Sequence, residues 1–178
     1  LKGVMHAAGV IHDALMEKKT TGQIHTVLSP KVQGLANMDN FTKDEKLDYF
    51  VLFSSMASIT GNIGQCDYAC ANGFLDGFAR YRNKMVKDGS RHGKTISINW
   101  PYWEEGGMAL DKRLQQSMKE QSGLVPLSTV KGLSALNIVL QQTWPQVIVT
   151  EVERAALGRT WVGNLNKSRI GENPAAVP

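Results

Sequence analysis

Cysteine is nearly absent from this chain. Its 178 residues contain two, Cys66 and Cys70. Two thiols in a C-x₃-C spacing give neither a disulfide framework nor the four ligands of a structural zinc site. No metal set is expected, and the two read as small reduced thiols, which points to a reducing compartment and a cytoplasmic location. Long hydrophobic runs are missing too. No apolar stretch approaches the roughly 20 residues of a membrane-spanning helix, and no leader pattern opens the chain, so no membrane role is expected. Charge of one sign is scarce: 20 Lys and Arg face 16 Asp and Glu, for a net +4. Lys18-Lys19 is the one basic pair before Lys112-Arg113. Without a basic stripe, an RNP-like segment or a zinc-finger pattern, nucleic acid is not an expected partner. No internal repeat is evident.

An apolar fraction of 42% is enough for a core, and the length suits one domain. Segments at Val4 to Ala8, Tyr49 to Ser54, Thr95 to Trp100 and Val147 to Val152 predict four strands. The second is continuous rather than alternating, as expected of a parallel strand buried on both faces. Between them lie helical patterns at Thr21 to Asp39, Asp67 to Val86 and Ser128 to Gln142, with a polar helix near Asp111 to Gln121. The first places Ile24, Val27, Leu28, Val32 and Leu35 at helical spacing, with Pro30 inside, where a kink is expected. The second places Ala71, Phe74, Leu75, Phe78, Tyr81 and Met85 on one side. Ser55 to Cys66 reads as a loop of small residues. Strands alternating with helices imply right-handed crossovers and a parallel α/β sheet. In such sheets a site lies beyond the carboxyl ends of the strands, where Gly9, Ser55 and Pro101 fall.

Four residues carry the chemistry. Tyr68 and Asn72 are four apart and share a helix face. Ser55 ends a predicted strand thirteen residues before Tyr68, and Lys31 lies twenty-four residues before Ser55. Brought together, these groups can assist the reduction of a carbonyl by a hydride donor. The Ser hydroxyl orients the carbonyl oxygen and the phenol gives it a proton. A nearby ammonium lowers the phenol pKa, and the Asn can hold a water.

The segments His6-Ala7-Ala8-Gly9-Val10, Ser29-Pro30-Lys31-Val32-Gln33-Gly34, Phe53-Ser54-Ser55, Tyr68-Ala69-Cys70-Ala71-Asn72 and Asn99-Trp100-Pro101-Tyr102-Trp103 make the chain resemble the ketoreductase domain of a bacterial modular polyketide synthase, a branch of the short-chain dehydrogenases. The likeness runs from residue 3 to about 155. Ordinary short-chain dehydrogenases carry Lys four residues after the Tyr. Here Asn72 stands there and the Lys lies upstream at Lys31, an exchange typical of these ketoreductases.

The resemblance implies a Rossmann-like parallel sheet with flanking helices, of which this chain would be the second half, about four strands. The first βαβ units are expected on an upstream half, since no G-x-G-x-x-G turn occurs here to hold a pyrophosphate. Residues 1–157 would be the C-terminal part of the catalytic domain and 158–178 a linker or tail. The implied cofactor is NADPH, held by Ala7, Ala8, Gly9, Lys31 and Tyr68, with Pro101 and Tyr102 near the nicotinamide carboxamide. The implied reaction is reduction of the β-keto group of a chain on an acyl carrier protein, within a synthase of further domains. The alternative is a silent, structural ketoreductase-like module. Lys31, Ser55, Tyr68 and Asn72 would be catalytic, while Trp103 and Met108 would begin a substrate lid. Asp13, in Ile11-His12-Asp13, keeps the last Asp of the family's Leu-Asp-Asp triplet. Thr60 stands where a Trp marks the opposite stereochemistry. Both point to a D-configured hydroxyl.

Overall fold

The structure, a computed structural model, describes residues 1–106 and 112–153. Four strands form one parallel sheet in the order β1-β2-β3-β4: β1 Gly3–His6, β2 Tyr49–Ser55, β3 Lys94–Trp100 and β4 Gln146–Ile148. The continuous apolar run of β2 has the expected consequence. Phe50, Val51 and Leu52 are fully buried, and beside them β3 is buried from Thr95 to Trp100. Met5 pairs with Val51, and Phe53 with Ile98. The register brings His6, Ser55 and Trp100 toward the carboxyl ends of their strands.

Three helices accompany the inner strands. α1 (Thr21–Phe41) starts with a capping box in which the Thr20 hydroxyl accepts from the Gln23 N–H and the Gln23 side chain accepts from the Thr20 N–H. Its buried line is Val27, Lys31, Leu35 and Asp39, four residues apart each time. Pro30 removes one donor from the ladder, yet the helix continues through it. α2 (Ala57–Thr60) is a single turn within the segment expected to be loop. α3 (Cys66–Lys87) is the long helix that carries Tyr68. Its buried line is not the predicted apolar one. Phe74 and Tyr81 are exposed, whereas Asn72, Asp76 and Arg82 are buried with Ala71, Leu75 and Ala79. The polar groups are admitted because each is hydrogen-bonded inside. Arg82 donates to the Asp39 carboxylate at 2.7 Å, to Thr95 at 3.0 Å and to the carbonyls of His92 and Gly93, and lies 4.4 Å over the Phe50 ring. The adjoining core is Leu35, Leu47, Phe50, Leu52, Leu75 and Ala79. Gly93, at φ 79°, packs so tightly on Leu47 that a Cβ would come within 2.9 Å of it.

The described residues fall into two compact units. The first, residues 1–100 and 134–149, holds the sheet and the helices above, together with the end of α5 (Thr129–Leu140). The second is drawn from residues 101–106, 112–133 and 150–153. It contains α4 (Lys112–Ser122) and two bridges, Trp103 with Leu127 and Leu124 with Val152. The last strand is shorter than the predicted Val147 to Val152. β4 stops at Ile148, because Glu151 and Val152 pair with Val125 and Leu124 instead of continuing along β3.

Candidate active site

Lys31 stands on the buried line of α1 and not on an exposed face; it is 3% exposed. Its Nζ donates to the Phe53 carbonyl on β2 at 2.8 Å and lies 6.0 Å from the centre of the Tyr68 ring. Burial lowers its pKa from 10.5 to about 8, and the negative charge of Asp76 partly opposes that fall. Gly9, after β1, packs against the same side chain. A Cβ there would meet the Lys31 Cε at 2.9 Å. His6 ends β1 and is buried. Desolvation and the Lys31 charge lower its pKa, so it is neutral at pH 7, and it hydrogen-bonds the Pro30 carbonyl.

Ser55 is the last residue of β2. Its Oγ accepts from the Ala57 N–H at 3.2 Å, which starts the α2 turn and leaves the hydroxyl proton available. Ser54 is buried and plays the structural part. It donates to the Asn72 carbonyl at 3.2 Å, fastening β2 to α3. The Tyr68 phenol interacts with the side chains of Ser55 and Asn72, and both interactions favour its ionised form. Burial outweighs them and raises the phenol pKa above 10.0, with the charge of Asp13 adding to the rise. This reverses the direction expected from a nearby ammonium: desolvation of the phenol is the larger effect. The phenol is thus fully protonated at neutral pH. Asn72 is completely buried. Its Nδ2 donates to the Tyr68 carbonyl at 2.8 Å, and its Oδ1 has no partner within the protein.

Asp13 reaches this site through a latch. Gln65 donates to both Asp13 oxygens at 3.0 Å, and the Ala14 N–H donates to the Gly64 carbonyl at 3.1 Å. Lys19 pairs with Asp67 at 2.8 Å, with both side chains buried, and also donates to the His12 carbonyl. Asp67 accepts the Tyr68 N–H at 2.9 Å. The segment carrying Asp13 is thereby tied to the first turn of the tyrosine helix. Thr60 faces its own turn, donating to the Met56 carbonyl at 3.2 Å.

Lys31, Ser55, Tyr68, Asn72, Gly9 and Asp13 are therefore brought together in the first unit. Ala7 and Ala8 follow β1 and are exposed. Pro101, Tyr102 and Trp103 belong to the second unit. There the Tyr102 carbonyl accepts from the Leu127 N–H at 2.8 Å, and the Trp103 indole covers Gly132. Met108 lies outside the described residues. Sequence reasoning missed Gln65, the Lys19–Asp67 pair and Asp76. A signal for Asp76 was present: Tyr68, Asn72 and Asp76 repeat at four-residue spacing.

Among the described residues no cluster of His, Cys, Asp or Glu is arranged to hold a metal, and no helix is long and apolar enough to cross a membrane.

Comparison with known proteins gives the same picture. The family model described as KR domain matches residues 1–105. The chain is 44% identical over 151 residues to polyketide synthase PksN of Bacillus subtilis (strain 168), covering 85% of this chain and 3% of that synthase. It is 41% identical over 181 residues to polyketide synthase PksL of the same organism, covering 97% of this chain and 4% of that one. Among solved structures, a ketoreductase domain from the bacillaene assembly line superposes with a TM-score of 0.86 at 42% identity, over 89% of this chain and 38% of that chain. The chain thus spans a small fraction of the curated synthases it matches and under half of the solved ketoreductase. On these matches the chain belongs to the KR domain family, the ketoreductases of polyketide synthases.

Proposed function

We propose that, within a complete domain, these residues reduce the β-keto group of an acyl chain carried on an acyl carrier protein, with NADPH as reductant and a D-configured hydroxyl as product. The observation that carries the reading is the convergence of Lys31, Ser55 and Asn72 on Tyr68. Four such groups have no structural need of one another.

The residues fit a nicotinamide nucleotide. Lys31 has three ammonium hydrogens and spends one on the Phe53 carbonyl. The others suit ribose hydroxyls. Gly9 leaves the approach to that ammonium free of a side chain. Ala7, Ala8 and Gly9 supply a low wall beside it, and Tyr68 completes the set. When bound, the reduced cofactor supplies the hydride.

Everything else falls to the protein. The Ser55 hydroxyl donates a hydrogen bond to the ketone oxygen and fixes its position. Tyr68, protonated at neutral pH, gives that oxygen its proton as negative charge develops there. The Lys31 ammonium favours the phenolate left behind. The unpartnered Oδ1 of Asn72 accepts a hydrogen bond from a water that returns a proton toward the tyrosine. Asp13, latched beside Tyr68, narrows one side of the approach to the phenol, which supports the stereochemical part of the reading. The synthase relatives are multidomain chains, which supports a carrier-bound substrate and neighbouring domains as partners.

The test uses a complete domain, a short β-ketoacyl thioester and either NADPH or NADH. Oxidation of NADPH in preference to NADH, with formation of the β-hydroxyacyl thioester, supports the reading. No reduction with either nucleotide overturns it.

A further inference from the structure

Beneath the reacting groups lies a buried carboxylate that the reaction as written does not use. Asp76, on α3, is 6% exposed. One of its oxygens accepts from the Ser97 hydroxyl of β3 at 2.6 Å. The other accepts from the Ser58 hydroxyl of α2 at 2.7 Å and from the Asn99 amide of β3 at 2.9 Å. The same Asn99 amide lies 3.1 Å from the Ser54 hydroxyl, 3.2 Å from the Ser55 carbonyl and 2.8 Å from the Ser58 hydroxyl. Gln146 of β4 donates to the Asn99 Oδ1 at 3.0 Å, and Ser54 donates to the Asn72 carbonyl.

One carboxylate therefore joins the turn after Ser55, the helix bearing Tyr68 and Asn72, and the strand β3. The Asp76 charge is also felt by Lys31.

We propose that Asp76 is a positioning residue of the reduction: it fixes Ser55 relative to the tyrosine helix, and its charge acts on Lys31. The inference rests on the function proposed above for its kinetic part and not for its electrostatic part. The Phe53 carbonyl from β2 and the Tyr68 ring from α3 face Lys31, and it interacts electrostatically with Asp76 of α3 and His6 of β1. His6 and Tyr68 are both neutral at pH 7. Asp76 thus carries the anionic charge among these groups. It opposes the desolvation that drives Lys31 toward the free amine.

Two variants of the complete domain test this. Asp76→Asn keeps shape and removes charge. The Lys31 side chain, followed by NMR of ¹³C-labelled lysine through a pH titration, is expected to lose its proton at a midpoint lower by roughly half a unit or more. The alkaline fall in kcat is expected to move down with it, and kcat at pH 7 to drop about tenfold to a hundredfold with KM little changed. Ser58→Ala cuts the tie to the serine turn and keeps the charge. It is expected to lower kcat about tenfold while leaving the Lys31 midpoint in place.

A Lys31 midpoint unchanged in Asp76→Asn overturns the electrostatic role. A kcat within twofold of the parent in Ser58→Ala overturns the positioning role, whether or not Asp76→Asn folds. The Lys31 titration needs no ketone. A parent that reduces nothing would therefore count against the proposed function while the titration still decides on Asp76.

Discussion

Replacing Lys31 by Met in a complete domain removes a cation that the fold holds against its own stability. The pKa of Lys31 falls from 10.5 to about 8 on folding because the side chain is buried. For a base whose folded pKa is depressed, the unfolded chain binds more protons between the two values. Stability therefore rises with pH from about 8 to about 10.5, and the full cost applies below 8. Integrating the linkage gives a cost on the order of 3 kcal/mol at pH 7, and about 1.4 kcal/mol at pH 9.5. Lys31→Met is free of this dependence, although it forfeits the bond to the Phe53 carbonyl at both pH values. Urea unfolding of parent and variant at pH 7 and 9.5 isolates the effect, because every pH-independent loss cancels in the comparison. The parent is expected to gain about 2 kcal/mol on the variant between the two pH values. A difference that stays within about 0.5 kcal/mol would refute the claim that Lys31 is held at a depressed pKa.

Other perturbations have separable outcomes. Arg82→Met leaves two carbonyls short of a donor in the core and Asp39 with Arg91 as its remaining partner, and is expected to cost about 1–3 kcal/mol in urea unfolding; a loss under about 0.5 kcal/mol would contradict the role given to this network. Gly9→Ala pushes a methyl onto the Lys31 Cε. It is expected to lower turnover more than about tenfold with little change in melting temperature, and equal turnover would show that the lysine end has room to move. Chiral chromatography of the reduced thioester is expected to show the D-configured product, and a predominantly L product would mean that Asp13 and Thr60 do not report the stereochemistry here.

The sheet was legible because parallel strands buried on both faces advertise themselves as unbroken apolar runs, as at Tyr49-Phe50-Val51-Leu52-Phe53. The end of β4 was not legible. Val147 to Val152 contains no Gly or Pro to end it, and what stops the strand is a competing pairing of Glu151 and Val152 with residues 124 and 125. The buried face of α3 was misread for a related reason. Helical periodicity scores Phe74 and Tyr81 as core and Asp76 and Arg82 as surface, but a polar group with a full set of partners can be buried while an aromatic ring stays exposed. Tyr68, Asn72, Ser55 and Lys31 were legible as a set through spacing and resemblance. The burial of Lys31, and the protonated state of Tyr68 that follows from its own burial, depend on side chains remote in sequence and required the fold.

The central claim is that Tyr68 gives the ketone its proton. The most direct measurement is the turnover of Tyr68→Phe in a complete domain, with NADPH oxidation followed at saturating β-ketoacyl thioester and nucleotide affinity measured alongside. A fall of roughly 10²–10⁴-fold is expected, with nucleotide binding little changed. Turnover within a factor of two of the parent would contradict it.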